Sequence, residues 1–131
     1  MEDSIFTKII KSEIPSHKVY EDDKTLAFLD IYGTVEGHTL IIPKVQVEFV
    51  WDLDDENYQA VMETTKKVAK RLREVLGVTY VGEKVMGTDV PHAHVHLIPF
   101  NDTKTYADSY KQNPNPDHEQ LSATAERLYF S

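Results

Sequence analysis

The chain has 131 residues, no cysteine, and 14 Lys and Arg against 22 Asp and Glu, for a formal net charge of −8. That length is expected to form one unit burying roughly two-thirds of the surface its unfolded chain exposes. The charge argues against a broad grip on nucleic acid or anionic lipid, and the missing cysteines exclude disulfides, thiolate nucleophiles and Cys-based zinc knuckles.

In chain order, the acidic opening Met1-Glu2-Asp3-Ser4 is unlike the basic start of a signal peptide, and no apolar run approaches ~18 residues. A cytoplasmic protein with neither membrane nor nucleic acid as partner is expected. Ser4 or Asp3 caps a short helix whose apolar residues Ile5, Phe6, Ile9 and Ile10 recur at helical spacing, ending before Ile14-Pro15. His17 to Glu21 and Thr25 to Asp30 are predicted strands joined by the turn Asp22-Asp23-Lys24, and His38 to Pro43 is a third after the loop Gly33 to Gly37. These three are expected to form an antiparallel meander.

Asp54 opens a long helix whose inner positions are Tyr58, Val61, Met62, Thr65, Val68, Ala69, Leu72 and Leu76, stopped by Gly77. Asp55 and Glu56 near its start and Lys70, Arg71 and Arg73 near its end suit the helix dipole and are read as a solvated face. Val78 to Met86 is a further strand, turned by Gly87-Thr88-Asp89 into an antiparallel neighbour. A polar loop from Asn101 to Asp117 is placed to cover a site. Asp117 and Gln120 then cap a last helix with Leu121, Ala125, Leu128 and Tyr129 as its buried stripe.

Between the turn Gly87-Thr88-Asp89 and the polar loop, three of the six histidines alternate within the apolar run 91–100. As a strand, that run points His92, His94, His96 and Ile98 one way and Ala93, Val95 and Leu97 the other, towards the core. Imidazole titrates near neutrality, so such a row can attack, donate protons and hold anionic oxygens. Two other readings stand beside this one. A metal is poorly shared by all three rings, because alternate Cα atoms lie about 6.7 Å apart and Zn–N bonds span roughly 2.1 Å. Two of the rings with a carboxylate and a further ring from His17, His38 or His118 would suffice. In a purely structural reading the rings stack and bond the backbone.

The segment Val90-Pro91-His92-Ala93-His94-Val95-His96-Leu97-Ile98 resembles the signature of the histidine triad (HIT) superfamily of nucleotide hydrolases and transferases. Ser4 to Ile10, Glu13-Ile14-Pro15, Val19 to Asp23, Ala27 to Asp30 and the block Gly37-His38-Thr39-Leu40-Ile41-Ile42-Pro43-Lys44 are similar to that family's N-terminal half, in order and at its spacing. The resemblance covers residues 4–100 and implies one HIT domain over 1–131, with 101–131 as polar loop and C-terminal helix. It implies an α+β fold: a five-stranded antiparallel sheet with a long helix and short N-terminal and C-terminal helices, paired into a homodimer.

By the same resemblance His94 is the nucleophile, attacking the α-phosphorus of a nucleoside phosphoramidate or dinucleoside polyphosphate to give a nucleotidyl-histidine that water hydrolyses. His96 and His38 join it around the phosphate, and His92 supports it from behind. Ile5, Phe6, Phe28 and Ile31 match the base pocket of a purine nucleotide such as AMP, and Asp30 the carboxylate that accepts the ribose hydroxyls. A turn-capping role for Asp30 and a nucleotide-binding protein without turnover are the alternatives.

Two departures bear on this. Many bacterial members hold a structural zinc through two Cys, a His and the first triad histidine, where this chain has Ser4, Thr7, Gln46 and His92. No metal or cofactor is therefore expected. Asp89 stands where a hydroxyl commonly meets phosphate or leaving group, and it can repel a polyphosphate, orient an amine or turn away.

Overall fold

The computed structural model describes residues 2–131; Met1, where the acidic opening begins, lies outside them. Ser4 is extended and its hydroxyl accepts the Thr7 N–H at 3.0 Å, which starts helix α1 at Ile5–Ile10. Strands β1 (Lys18–Glu21), β2 (Thr25–Leu29) and β3 (Thr39–Pro43) follow as the expected meander. Asp22 makes the first turn tight by accepting from the backbone of both Lys24 and Thr25. Helix α2 (Asp55–Leu76) is capped by Asp54 and ends at Gly77 with φ 67°, a left-handed conformation that favours glycine. Strands β4 (Tyr80–Lys84) and β5 (Val95–Phe100), a short helix α3 (Thr103–Asp108) and a last helix α4 (His118–Leu128) complete the chain.

The five strands form one antiparallel sheet in the order β1-β2-β3-β5-β4. Every residue of β2 and β3 is buried, because helices cover both faces of the sheet. Val19, Ala27, Leu29, Ile41, Val95 and Leu97 pack with Val61, Val68 and Leu72 of α2 and Ala125 and Leu128 of α4. On the opposite face Leu26, Phe28, Leu40 and Ile42 pack with Phe6 and Ile9 of α1. His96 stands opposite Leu40, itself opposite Phe28, so its ring emerges on the α1 face.

Four sequence expectations are corrected. The histidine run is not one strand: β5 begins at Val95, leaving His92, Ala93 and His94 outside the ladder. The β3–β5 register, with Thr39 opposite Leu97, would set Pro43 opposite Ala93. Proline has no N–H to continue the ladder, and the Ala93 N–H instead reaches the Val47 carbonyl at 2.7 Å. The loop 101–117 contains α3, capped by Asp102, whose carboxylate accepts the Thr105 N–H at 2.8 Å. Tyr129 is not in the buried stripe of α4; it ends the helix and is half exposed, while Phe130 packs on Tyr20 at 4.8 Å. Arg71 is no solvated charge, since its Nε donates to the Leu128 carbonyl at 2.8 Å and so caps the end of α4.

Helix α3 buries no residue fully and is held by one aromatic contact. Tyr106 packs beside Phe100, ring centroids 5.0 Å apart, and lies over Gly82 so closely that a Cβ there would sit 2.1 Å from its ring. Gly82→Ala is therefore expected to destabilise the fold by about 1–3 kcal/mol, as overpacking does. The same change in a Tyr106→Ala background should cost much less. Urea denaturation of the four proteins of this cycle checks it, and equal costs in both backgrounds would remove Tyr106 as the cause.

Candidate active site

A cavity of about 540 Å³ opens on the α1 face. Its apolar wall comes from Ile5, Phe6 and Ile9 of α1, Phe28 of β2 and Leu40 of β3, with Ile31 from the loop after β2. His94 and His96 form its inner end, and Asp30 and Asp89 are its charged lining residues. Gln112 and Pro114 bring the segment after α3 to the rim, tied down by the Asn113 N–H donating to the Tyr32 carbonyl at 2.8 Å. The long polar loop thus does reach the site. A second cavity of about 560 Å³, between residues 33–38 and α4, shares Asp30 and Ile31 with the first and touches His38 but neither His94 nor His96.

The three triad rings occupy different environments. His92 is fully buried: its Nε2 is 2.8 Å from the Pro43 carbonyl and its Nδ1 2.8 Å from the Ser4 hydroxyl. His94 is 4% exposed, with Nδ1 2.7 Å from the His92 carbonyl and the Phe6 ring edge-on at 5.2 Å. A carbonyl only accepts, so Nδ1 of His94 carries a proton, and in the neutral ring Nε2 is the lone-pair nitrogen. The His96 ring lies 5.1 Å from that of His94, and its Nδ1 is 3.0 Å from Nε2 of His38.

Asp30 completes a chain of groups. One carboxylate oxygen accepts the Tyr32 N–H at 2.9 Å, and the other is 3.6 Å from Nε2 of His38. The turn-capping role is thus real, and one oxygen remains for other work. With a carboxylate beside it, His38 Nε2 is the protonated nitrogen and donates to His96 Nδ1, which places the His96 proton on Nε2. Nδ1 of His38 is buried and unpartnered among the described residues.

Burial, with the Lys84 cation adding to it, pushes the His38 pKa down to about 4. Burial, then the neighbouring rings of His38 and His94, pushes His96 down to about 4 as well. Burial also lowers His92. All three are therefore neutral at neutral pH.

Asp30, His38 and His96 bring three possible ligand atoms within 4.8 Å of one another, the one grouping among the described residues that has metal-site dimensions. His17 and His118, offered by the metal reading, pair with each other at 3.0 Å and line neither cavity. Ser4, Thr7, Gln46 and His92 do meet, but as a hydrogen-bonded group: Thr7 Oγ1 donates to Gln46 Oε1 at 2.6 Å and Ser4 donates to His92. Two hydroxyls and an amide do not supply the thiolates and imidazoles that hold structural zinc, so this group does not fit that metal.

Of the residues expected at the site, the structure brings Ile5, Phe6, Phe28, Asp30, Ile31, Asp89, His94 and His96 to the lining of one cavity, bonds His38 to His96, and leaves His92 outside that lining. Reasoning from sequence missed Lys84, which stands opposite His96 in the β4–β5 register. The signal was available, since residues paired across strands share a face. In sequence Ser4, Thr7 and Gln46 stand out only for what they replace, and nothing local signals the bonds they make to one another and to His92.

A five-stranded antiparallel sheet with a long helix on one face and imidazoles gathered on the other defines the histidine triad class of α+β folds. The sequence matches the HIT domain family over residues 11–103, and the chain belongs to that family. It is 41% identical to "Protein hit" of Bacillus subtilis, covering 99% of this chain and 97% of that one. It is 44% identical to the adenosine 5′-monophosphoramidase HNT1 of Saccharomyces cerevisiae, over 77% of this chain and 65% of that protein. Among solved structures, a Hit-like protein of Bartonella henselae superposes with a TM-score of 0.83 at 31% identity, covering 96% and 94% of the two chains. A HIT family member from Bacillus subtilis gives 0.74 at 36% identity, over 99% and 100%. Among the described residues, no helix is long and apolar enough to cross a membrane.

The lowered pKa values of His38 and His96 fix the sign of an acid effect. Between pH 6.5 and about 4 the unfolded chain binds protons that the folded chain refuses, so stability rises with pH across that window and is lost on acidification. Each proton withheld is worth up to about 1.4 kcal/mol per pH unit. Thermal melts from pH 7 to 4 should show this slope, shallower in His38→Asn; equal slopes in both proteins would mean that His38 takes up protons normally.

Proposed function

We propose that the chain is a nucleotide-binding hydrolase or transferase that cleaves at the α-phosphate of a nucleoside phosphoramidate or dinucleoside polyphosphate through a nucleotidyl-histidine on His94. The observation that carries this is the 2.7 Å bond from His94 Nδ1 to the His92 carbonyl, which leaves Nε2 as a lone-pair nitrogen beside the cavity. The names of the yeast relatives, adenosine 5′-monophosphoramidases, support the reaction class.

In the first step Nε2 bonds phosphorus as the bond to the leaving group breaks, and His94 becomes an imidazolium whose Nδ1–H still rests on the carbonyl. The leaving group takes up a proton from solvent by way of His96, whose Nε2–H is the donor the ring pair presents; such help is worth about 10²- to 10⁴-fold. In the second step water attacks phosphorus as the Nε2–P bond breaks, the proton that water loses returns to solvent by way of His96, and neutral His94 is restored with a nucleoside monophosphate as product. His38 holds His96 in the donating tautomer, and His92 supplies the carbonyl.

The base lies against Ile5, Phe6, Phe28 and Ile31, whose apolar surfaces suit a purine, and Asp30 accepts from the ribose hydroxyls. Asp89 is exposed on the same lining, and a carboxylate there suits an amine leaving group better than a polyphosphate. The working unit is a homodimer joined through α2 and the edge strand β4, and residues 1–131 act as one HIT domain.

His94→Gly is expected to abolish turnover of an adenosine phosphoramidate while AMP still binds, and His96→Ala to slow it about 10²- to 10⁴-fold. Acid-quenched wild type should carry the mass of an added nucleoside monophosphate, missing from His94→Gly. Tight AMP binding with no turnover and no adduct in the wild type would instead make the chain a nucleotide-binding protein without catalysis. Sedimentation at micromolar concentration should give twice the 15.0 kDa chain mass.

A further inference from the structure

Behind the triad, four polar side chains from three distant parts of the chain form a closed group. The His92 Nε2 faces the Pro43 carbonyl at 2.8 Å and must carry the proton, so its Nδ1 is an acceptor and the Ser4 hydroxyl donates to it at 2.8 Å. Ser4 in turn accepts the Thr7 N–H at 3.0 Å. Thr7 Oγ1 donates to Gln46 Oε1 at 2.6 Å, and the same amide oxygen accepts the Ser4 N–H at 2.8 Å. Gln46 Nε2 donates to the Glu2 carbonyl at 2.8 Å, fixing which way the amide faces. Ser4 and His92 are 6% and 0% exposed, so water does not compete for the bond between their side chains.

His92 and His94 precede β5, and the ladder does not hold their backbone. Within 92–94 the backbone is fastened by His92 N–H to the Val90 carbonyl and Ala93 N–H to the Val47 carbonyl, and the His92 ring is clamped between Pro43 and Ser4. The carbonyl of this clamped residue is the one that receives Nδ1 of His94. Ser4 is also the cap of α1, whose Ile5, Phe6 and Ile9 line the cavity, and the Phe6 ring touches those of both His92 and His94.

We infer that Ser4, backed by Thr7 and Gln46, is a positioning residue for the nucleophile: its hydroxyl fixes the His92 ring, and through the His92 carbonyl the tautomer and aim of His94. This rests on the reading of His94 as nucleophile. It makes the first turn of α1 a shared part, building the nucleoside wall with its side chains and steadying the attacking ring with its cap.

Separating cap from proton donor tests this. Ser4→Asp keeps an excellent cap but has no hydroxyl proton for His92, Ser4→Ala loses both, and Ser4→Thr keeps both. Expected are kcat losses for Asp and Ala approaching about 10²-fold, the size of a misplacement of roughly 1 Å, with KM little changed and activity retained in Ser4→Thr. Nitrogen-15 spectra of the imidazoles should show His94 protonated at Nδ1 alone in the wild type and a mixture of tautomers in Ser4→Ala. If that variant fails to fold, Thr7→Val, which frees Gln46 from the hydroxyl, should show the same mixing. Unchanged kcat and unchanged spectra in Ser4→Asp and Ser4→Ala would overturn the positioning role while leaving His94 as nucleophile. Turnover persisting in His94→Gly would remove the nucleophile instead, and the spectra would still decide whether Ser4 sets the tautomer.

Discussion

An imidazole has two nitrogens, and which of them can attack is decided by what the other one touches. In this chain that decision rests on a single acceptor, the carbonyl of His92, 2.7 Å from Nδ1 of His94. The acceptor is useful only if it stays put, and it lies where the sheet gives least help. Pro43 ends the β3 side of the ladder, so the segment before Val95 is fastened by bonds to Val47, Val90 and the side chain of Ser4. A proline that breaks a ladder thus frees its own carbonyl for the His92 ring and leaves a short irregular stretch whose carbonyls can be aimed.

The same sheet explains why the rings stay neutral. Covering both faces buries β2 and β3 throughout, and it draws His38, just before β3, and His96, the second residue of the adjacent β5, away from water. Desolvation disfavours the imidazolium, and two rings sharing one proton at 3.0 Å disfavour a second one. The core that stabilises the fold and the proton state of the site are therefore consequences of one packing arrangement. Weakening the α1 face would loosen both.

Much of this was legible because it is local. Asp54 and Gly77 bracket α2, Ser4 opens α1, and Asp117 opens α4, since caps are chosen by short-range hydrogen bonding and backbone sterics. The cavity residues were legible only through family resemblance, as nothing in the spacing of Ile5, Phe28 and His94 brings them together. The histidine run was misjudged at its start because alternation over 92–96 describes a strand well, and only the β3 register reveals Pro43 opposite Ala93. Helix α3 is not legible, since six residues with no buried side chain leave no apolar stripe, and Tyr106, which holds it, meets Gly82 from a distant part of the sequence. The role of Arg71 leaves no local signal, because a side chain that caps another helix looks the same in sequence as one that caps nothing.

The charge of the chain sets a last constraint. An anion entering the cavity meets a protein of net charge −8 and two lining carboxylates, Asp30 and Asp89, with no arginine or lysine on the wall. Of the imidazole N–H groups only that of His96 Nε2 is then free to hold it, helped by Lys84 from the strand beside His96, whose field already reaches both His96 and His38. Hydrogen-bond donors in a partly desolvated cleft hold one phosphate well, because each bond strengthens as the dielectric falls. They do not cancel the repulsion that grows with every added phosphate. Within the proposed function, this wall argues for the phosphoramidate over the dinucleoside polyphosphate, on electrostatic grounds that are independent of the shape of the base pocket.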